Sequence, residues 1–276
     1  MIIDLIYAII LGVLEGITEW LPISSTAHII LIEKLFYASN NPPSFSEDFL
    51  LMFDVVVQLG AILAVIVIYF KKLYPFKYES DGYNKKEKIN IWIKIFISCL
   101  PVVIIGLIFD EIITSYFYTP LTIAIMLILY GVVFIFVENN KILKERKHIT
   151  NITKKDAFII GGVQVLSLIP GTSRSGVTTI GGLLLGYDRN SSAEYSFFLS
   201  VPIMFAAAIY KLIKYAFNFK IFTKEVIILV TAMLVAMLTS LIVIKKLVNY
   251  IKNHGFKVFG IYRIILGVFI LIMWLI

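Results

Sequence analysis

Hydrophobic positions along this chain gather into long blocks, with the polar positions collected between them. Six blocks, at 51–70, 91–109, 119–137, 197–216, 226–244 and 258–276, are predominantly apolar. Each reaches the roughly 20 residues that an α-helix needs to cross a hydrocarbon core. Two further apolar stretches, Leu5 to Leu35 and Ala157 to Leu185, are broken midway by proline, glycine and hydroxyl residues in LPISSTAH and IPGTSRSG. Backbone that leaves the helix at membrane depth is tolerated only where protein or a wet cavity satisfies it. These paired interruptions therefore predict re-entrant segments at a binding site.

Aligning Pro22 with Pro170 sets Leu21 against Ile169, Ser24 against Thr172 and Ser25 against Ser173. The order of elements then repeats, a broken segment followed by three full spans, over about 1–137 and 156–276. An odd number of crossings per half starts the second half on the opposite side of the membrane from the first. The expectation is a single all-α polytopic membrane domain with an inverted-topology repeat. Each half is one re-entrant helix pair plus three transmembrane helices, and the two tips meet near the midplane.

Composition agrees, with 59% hydrophobic and 16% charged residues, against about half and about a quarter in soluble domains. The apolar N-terminal segment lacks a basic leader and a cleavage site and carries Asp4, Glu15 and Glu19, so it is expected to stay in the mature chain. Cys99 is the single cysteine and lies in an apolar span, which excludes a disulfide framework and a thiolate metal cluster. The net charge of +7 does not call for a nucleic-acid partner, because the basic residues cluster in loops between spans and not on a continuous face. Loops 71–90, 138–155 and 245–257 hold six, six and four Lys or Arg, whereas 38–50, 110–118 and 217–225 hold none, none and two. The positive-inside rule makes the first set cytoplasmic and the second external. Lys211 and Lys214 run against this trend near an outer end, where lysines can snorkel to the headgroups.

The chemistry concentrates at the two breaks. Glu15 and Glu19 are four residues apart and share a helix face. Carboxylates inside a membrane segment cost at least about 2.5–3.5 kcal/mol on insertion scales and read as functional by default; the alternative is a structural pair with Arg174. Ser24, Ser25, Thr26 and His28 follow Pro22, which starts a helix well, and a serine near a histidine is the minimum for an activated nucleophile. In the second break Arg174 offers a planar fork of donors for phosphate oxygens. Gly171 and Gly176 let backbone approach a ligand, and Thr172, Ser173, Ser175 and Thr178 add hydroxyls. Gly12 and Gly16 form a small-residue face suited to helix packing. Donors, a permanent cation and an imidazole fit a phosphate ester or anhydride, with phosphoryl transfer governed by positioning and electrostatics. Two carboxylates in such a site imply a divalent cation held by Glu15 and Glu19, Mg²⁺ or Ca²⁺ by the hardness of oxygen ligands.

At EGITEWLPISSTAH (Glu15 to His28) and PGTSRSG (Pro170 to Gly176) the sequence resembles the undecaprenyl-diphosphatase family, also called the bacitracin-resistance protein family. The resemblance extends to VVQLGAILAV near Gln58 and EYSFFLSVP from Glu194 to Pro202, and so spans essentially the whole chain. Ala27 stands where many members have glycine. The resemblance implies a multi-pass enzyme of the bacterial plasma membrane with an outward-facing site. It would convert undecaprenyl diphosphate to undecaprenyl phosphate and phosphate, recycling the carrier lipid of cell-wall synthesis and conferring bacitracin resistance. On that resemblance Ser25 is the nucleophile, His28 its acid/base partner, Glu15 and Glu19 the acidic pair and Arg174 the phosphate clamp, with Ser173 and Thr178 as further site positions. The partners implied are the polyprenyl diphosphate and membrane lipid; homo-oligomer formation is left open, as is attack by metal-bound water in place of Ser25. A competing reading is a flippase for lipid-linked phosphate, since broken helices in an inverted repeat are a transporter plan. The spaced Lys/Arg-Pro, PSGH and Arg-His elements of the other lipid-phosphatase superfamily are absent.

Overall fold

A computed structural model describes residues 2–38, 42–76, 84–139 and 147–275, and among these the chain is helical without β-strands. Parts of the loops assigned by charge, at 39–41, 77–83 and 140–146, lie outside the described residues. The first half contains α1 (Ile2–Thr18), α2 (Ser25–Tyr37), α3 (Glu47–Val56), α4 (Gln58–Ile68), a single turn α5 (Phe70–Leu73), α6 (Lys85–Phe117) and α7 (Pro120–Asn139). The second contains α8 (Lys154–Gln164), α9 (Arg174–Leu184), α10 (Arg189–Asn218), α11 (Thr223–His254) and α12 (Lys257–Leu275). Six spans are long and apolar enough to cross a bilayer, with α3 and α4 together forming the first. The protein is thus an all-α integral membrane protein, and a helix pair followed by three spans occurs twice in its element order.

Local sequence sets where the helices begin. At α6 the Asn84 side chain accepts the Glu87 amide at 2.9 Å, and the Glu87 carboxylate accepts the Asn84 amide at 2.8 Å. Thr153 and Asp156 exchange the same two bonds, at 3.1 and 3.2 Å, ahead of α8. Such reciprocal capping satisfies two amides that a helix start leaves orphaned. It carries α6 to Lys85, ahead of the apolar block at 91–109.

The packing of the two halves interchanges. Helix α1 lies along α11 as α8 lies along α6, and α4 meets α11 as α10 meets α6, while α7 crosses α12 and α10 meets α3 and α4. Small residues make the crossings close, as in membrane helix pairs without a hydrophobic driving force. A Cβ on Gly12 would stand 2.6 Å from the Ala232 carbonyl oxygen, and one on Gly16 would stand 2.6 Å from Thr239 Cβ. Gly12 and Gly16 therefore serve packing, and Gly161 of α8 faces the Ser98 backbone of α6 as tightly. At the α7–α12 crossing a Cβ on either Gly131 or Gly260 would lie 2.7 Å from the other's carbonyl oxygen. Gly131→Leu should therefore lower the unfolding temperature in detergent, with overpacking costing about 1–3 kcal/mol. Gly162, with nothing within 4 Å of its would-be Cβ, is the control: Gly162→Ala should change stability by no more than about 1 kcal/mol. Equal melting of wild type and Gly131→Leu would remove the close-crossing argument.

Candidate active site

Both helix pairs are broken by a strained turn. After α1, residues 19–24 turn the chain into α2; after α8, a short 3₁₀ segment Val165–Leu168 and residues 169–173 turn it into α9. Ser24 (φ 72°, ψ 100°) and Ser173 (φ 72°, ψ 113°) are the positive-φ non-glycine residues described. Backbone held there costs on the order of 1–3 kcal/mol per residue and gathers at functional sites. Each serine directly precedes a helix, and the starts of α2 and α9 open onto one cavity of about 470 Å³.

These matched conformations correct the alignment on the prolines by one residue. Ser24 corresponds to Ser173, so Ser25 corresponds to Arg174 and Pro22 to Gly171. The same offset sets Gly12 against Gly161, the two glycines that touch neighbouring backbone, and Glu15 against Gln164.

A short network joins the two turns. Arg174 Nη2 lies 2.6 Å from Glu19 Oε1, and Ser25 Oγ donates to Glu19 Oε2 at 3.1 Å. Arg174 Nη1 donates to the Ser196 carbonyl of α10 at 2.8 Å. Ser175 Oγ donates to the Glu19 carbonyl at 3.0 Å, tying the second helix pair to the first. Thr178 donates to the Arg174 carbonyl at 2.8 Å and shares a 2.6 Å hydroxyl contact with Ser196. Ser173 Oγ caps α9 by accepting the Gly176 amide at 3.2 Å.

The predicted residues therefore divide. Glu19, Ser24, Ser25, Thr26, Gly171, Ser173 and Arg174 line the cavity. Thr172, Ser175, Gly176 and Thr178 do not; they are buried behind it and hold the lining residues in place. Glu15 is fully buried one turn before Glu19, and neither of its carboxylate oxygens meets a hydrogen-bond donor. His28 is also outside the lining: Nδ1 donates to the Ser24 carbonyl at 2.7 Å and Nε2 accepts from the Tyr262 hydroxyl at 2.7 Å. The side chain hydrogen-bonded to Ser25 is thus Glu19, not His28. The pairing of Arg174 with a carboxylate, the structural alternative for these residues, is present and involves Glu19.

Comparison with known proteins follows the same residues. The family described as "Bacitracin resistance protein BacA" matches residues 8–269. The chain belongs to the BacA family. It is 47% identical over 271 residues to an "Undecaprenyl-diphosphatase" of Enterococcus faecalis, covering 97% of this chain and 96% of that one. It is 49% identical over 274 residues to a protein of the same name from Desulfitobacterium hafniense, with 98% and 96% covered. The Acetivibrio thermocellus protein of that name is 47% identical over 275 residues, with 99% and 98% covered.

This BacA-family chain also holds site residues that motif reading missed. Asp54 and Gln58, from the helices of the first span, line the cavity, and Asp54 Oδ1 is buried without a hydrogen-bond partner. A carboxylate in an apolar span was the available signal. Arg263 of α12 is fully buried behind both turns. It donates to the carbonyls of Pro22 at 3.1 Å, Gly171 at 2.8 Å and Thr172 at 2.9 Å, with its guanidinium 5.9 Å from the Tyr130 ring centre.

The unpartnered oxygens of Glu15 and Asp54 suit a hard divalent cation. The described residues contain no group of three or more acid, His or Cys side chains able to hold a metal. A cation here would accordingly take one or two carboxylates and fill its shell with phosphate oxygens and water, as Mg²⁺ does.

Arg263→Met should destabilise the fold, because each buried carbonyl left without a donor costs about 1–3 kcal/mol. Arg263→Lys should recover only part, since one ammonium cannot reproduce the fork. Thermal unfolding of both variants in one detergent is the check; a wild-type melting curve for Arg263→Met would show that the turns do not depend on it.

Proposed function

We propose that the protein hydrolyses undecaprenyl diphosphate to undecaprenyl phosphate and inorganic phosphate, recycling the carrier lipid of peptidoglycan synthesis and conferring bacitracin resistance. The observation that carries this reading is the chain Arg174–Glu19–Ser25 inside a cavity whose remaining lining is largely apolar. The apolar lining suits a polyprenyl tail, and the polar end suits its headgroup. Membership of the BacA family and relatives named undecaprenyl-diphosphatase support the same substrate.

In the proposed reaction the terminal phosphoryl group engages the fork of Arg174, drawing it from Glu19. Ser25 Oγ then attacks the terminal phosphorus while Glu19 takes the hydroxyl proton along the existing hydrogen bond. The bond from phosphorus to the bridging oxygen breaks, and undecaprenyl phosphate leaves. The departing phosphate carries off the proton that Glu19 took. Water then loses a proton to Glu19 and attacks the phosphoserine, and as the bond from phosphorus to Oγ breaks Glu19 returns that proton to Ser25, releasing phosphate. Arg174 and the amides at the start of α9 stabilise charge on the transferred group. His28 acts as a positioning residue by holding the Ser24 carbonyl. Glu15, together with the Glu19 oxygen that Arg174 releases, would hold a Mg²⁺ or Ca²⁺, which would supply Lewis-acid neutralisation of the diphosphate. A flippase reading rests on the repeat plan and leaves the Ser25–Glu19 contact without a use.

Phosphate release by the purified protein tests the assignment. Ser25→Ala and Arg174→Lys should each lose about 10²–10³ in turnover with folding retained, and the double variant should lose less than the product of the two effects. Chelator should abolish release, Mg²⁺ or Ca²⁺ should restore it, and Glu15→Gln should raise the concentration needed. Full activity of Ser25→Ala would hand the attack to water, and a fully active Arg174→Lys would sink the fork argument. Chelator-insensitive turnover would dismiss the cation.

The interchanging helix contacts and the loop charges support an inverted repeat with the active site facing outward. In a Cys99→Ala background, a cysteine at Ser115 should react with an impermeant maleimide on intact cells, and one at Lys154 should not. The opposite labelling pattern would reverse the orientation.

A further inference from the structure

Lys211 is one of the two lysines that run against the loop-charge pattern, and the structure gives it a different setting. It lines the same cavity as Arg174 and Ser25. Its ammonium is 3.9 Å from Asp110 Oδ2 of α6, with side-chain exposures of 28% and 34%, against 12% and 9% for Arg174 and Glu19. The cavity thus has a sheltered end at Arg174 and a more open end at Lys211. Met204, whose sulfur is 3.6 Å from Arg174 Nη2, lies on the same helix as Lys211. Seven residues separate the two, or about 10 Å at the helical rise of 1.5 Å per residue.

The charges along this path are unfavourable to an anion. Glu19, Asp54 and Asp110 outnumber Arg174 and Lys211 among the described lining residues. Arg174 is already engaged at 2.6 Å by Glu19 and at 2.8 Å by the Ser196 carbonyl. Among the described residues Lys211 is held by a contact beyond hydrogen-bond length, with each partner about a third exposed, and a pair of that kind is worth little. A diphosphate displaces Asp110 from Lys211 at far less cost than it displaces Glu19 from Arg174.

Resting on the proposed activity, we infer that Lys211 is the capture residue for the diphosphate headgroup: it exchanges Asp110 for the incoming anion at the more open end of the cavity, before the headgroup moves to Arg174. Asp110 competes with substrate for the lysine. The pair therefore sets how readily the headgroup is taken up, and leaves the chemical step to Ser25, Glu19 and Arg174.

The test is steady-state phosphate release from undecaprenyl diphosphate by the full-length protein, with Lys211→Gln, Lys211→Arg, Asp110→Asn and Arg174→Lys measured beside wild type at low and high salt, and thermal unfolding of each in the same detergent. Lys211→Gln should raise KM about tenfold, the scale of electrostatic capture, with kcat changed less than about twofold. Lys211→Arg should keep the wild-type KM. Asp110→Asn should lower KM or leave it unchanged, whereas a merely structural ion pair makes Asp110→Asn and Lys211→Gln equally harmful. Salt should raise KM of wild type and not of Lys211→Gln. An unchanged KM in Lys211→Gln, a fall in kcat alone, or a raised KM in Asp110→Asn would overturn the inference. Arg174→Lys, slowed about 10²–10³ in turnover, marks loss of the chemical step; a wild type that releases no phosphate refutes the proposed activity itself, and the inference with it.

Discussion

Backbone that leaves helical geometry within a membrane protein has to find hydrogen-bond partners inside the protein, because hydrocarbon supplies none. Here two turns do so side by side, and a single buried guanidinium answers much of their need. Arg263 reaches carbonyls from Pro22 on one turn and from Gly171 and Thr172 on the other. Its charge sits among oriented carbonyl dipoles instead of against a carboxylate. With the turns fixed to a common donor, the helix starts that follow them can open onto the same cavity, and the contacts of Ser175 and Arg174 with Glu19 become possible.

Those contacts show how two halves of like element order can divide one task. The residue after the strained serine is Ser25 in the first half and Arg174 in the second. One position carries the hydroxyl and its counterpart carries the cation. Likewise Glu15 has Gln164 as its counterpart, buried and also without hydrogen-bond partners. The element order is repeated, while the buried unpartnered carboxylate of Glu15 has an amide, Gln164, in its place.

The spans were legible because each is a continuous apolar block, and the broken helix pairs because proline and hydroxyl residues interrupt their apolar stretches. Element ends were less so: α6 runs past its apolar block at both ends, driven at its start by the Asn84–Glu87 capping box. The alignment on Pro22 and Pro170 slipped by one because proline is tolerated at several places in a turn, whereas positive φ marks one place in each. His28 is three residues from Ser25, a spacing that permits contact, and the ring turns instead to Tyr262, 234 residues away. Arg263 could not be assigned a role from its own position, since its partners are backbone atoms with no side-chain signature.

The two strained serines carry one more implication. Glycine would adopt φ near 72° without a Cβ penalty, so a serine there is retained against the preference of the backbone. At Ser173 the hydroxyl has a structural use, since it caps α9. At Ser24 it makes no capping bond and lines the cavity. Ser24 is therefore a position where the most stable sequence and the working sequence part company. Selection for thermal resistance alone would tend toward glycine there, and the stability gained would come at the expense of a hydroxyl facing the cavity.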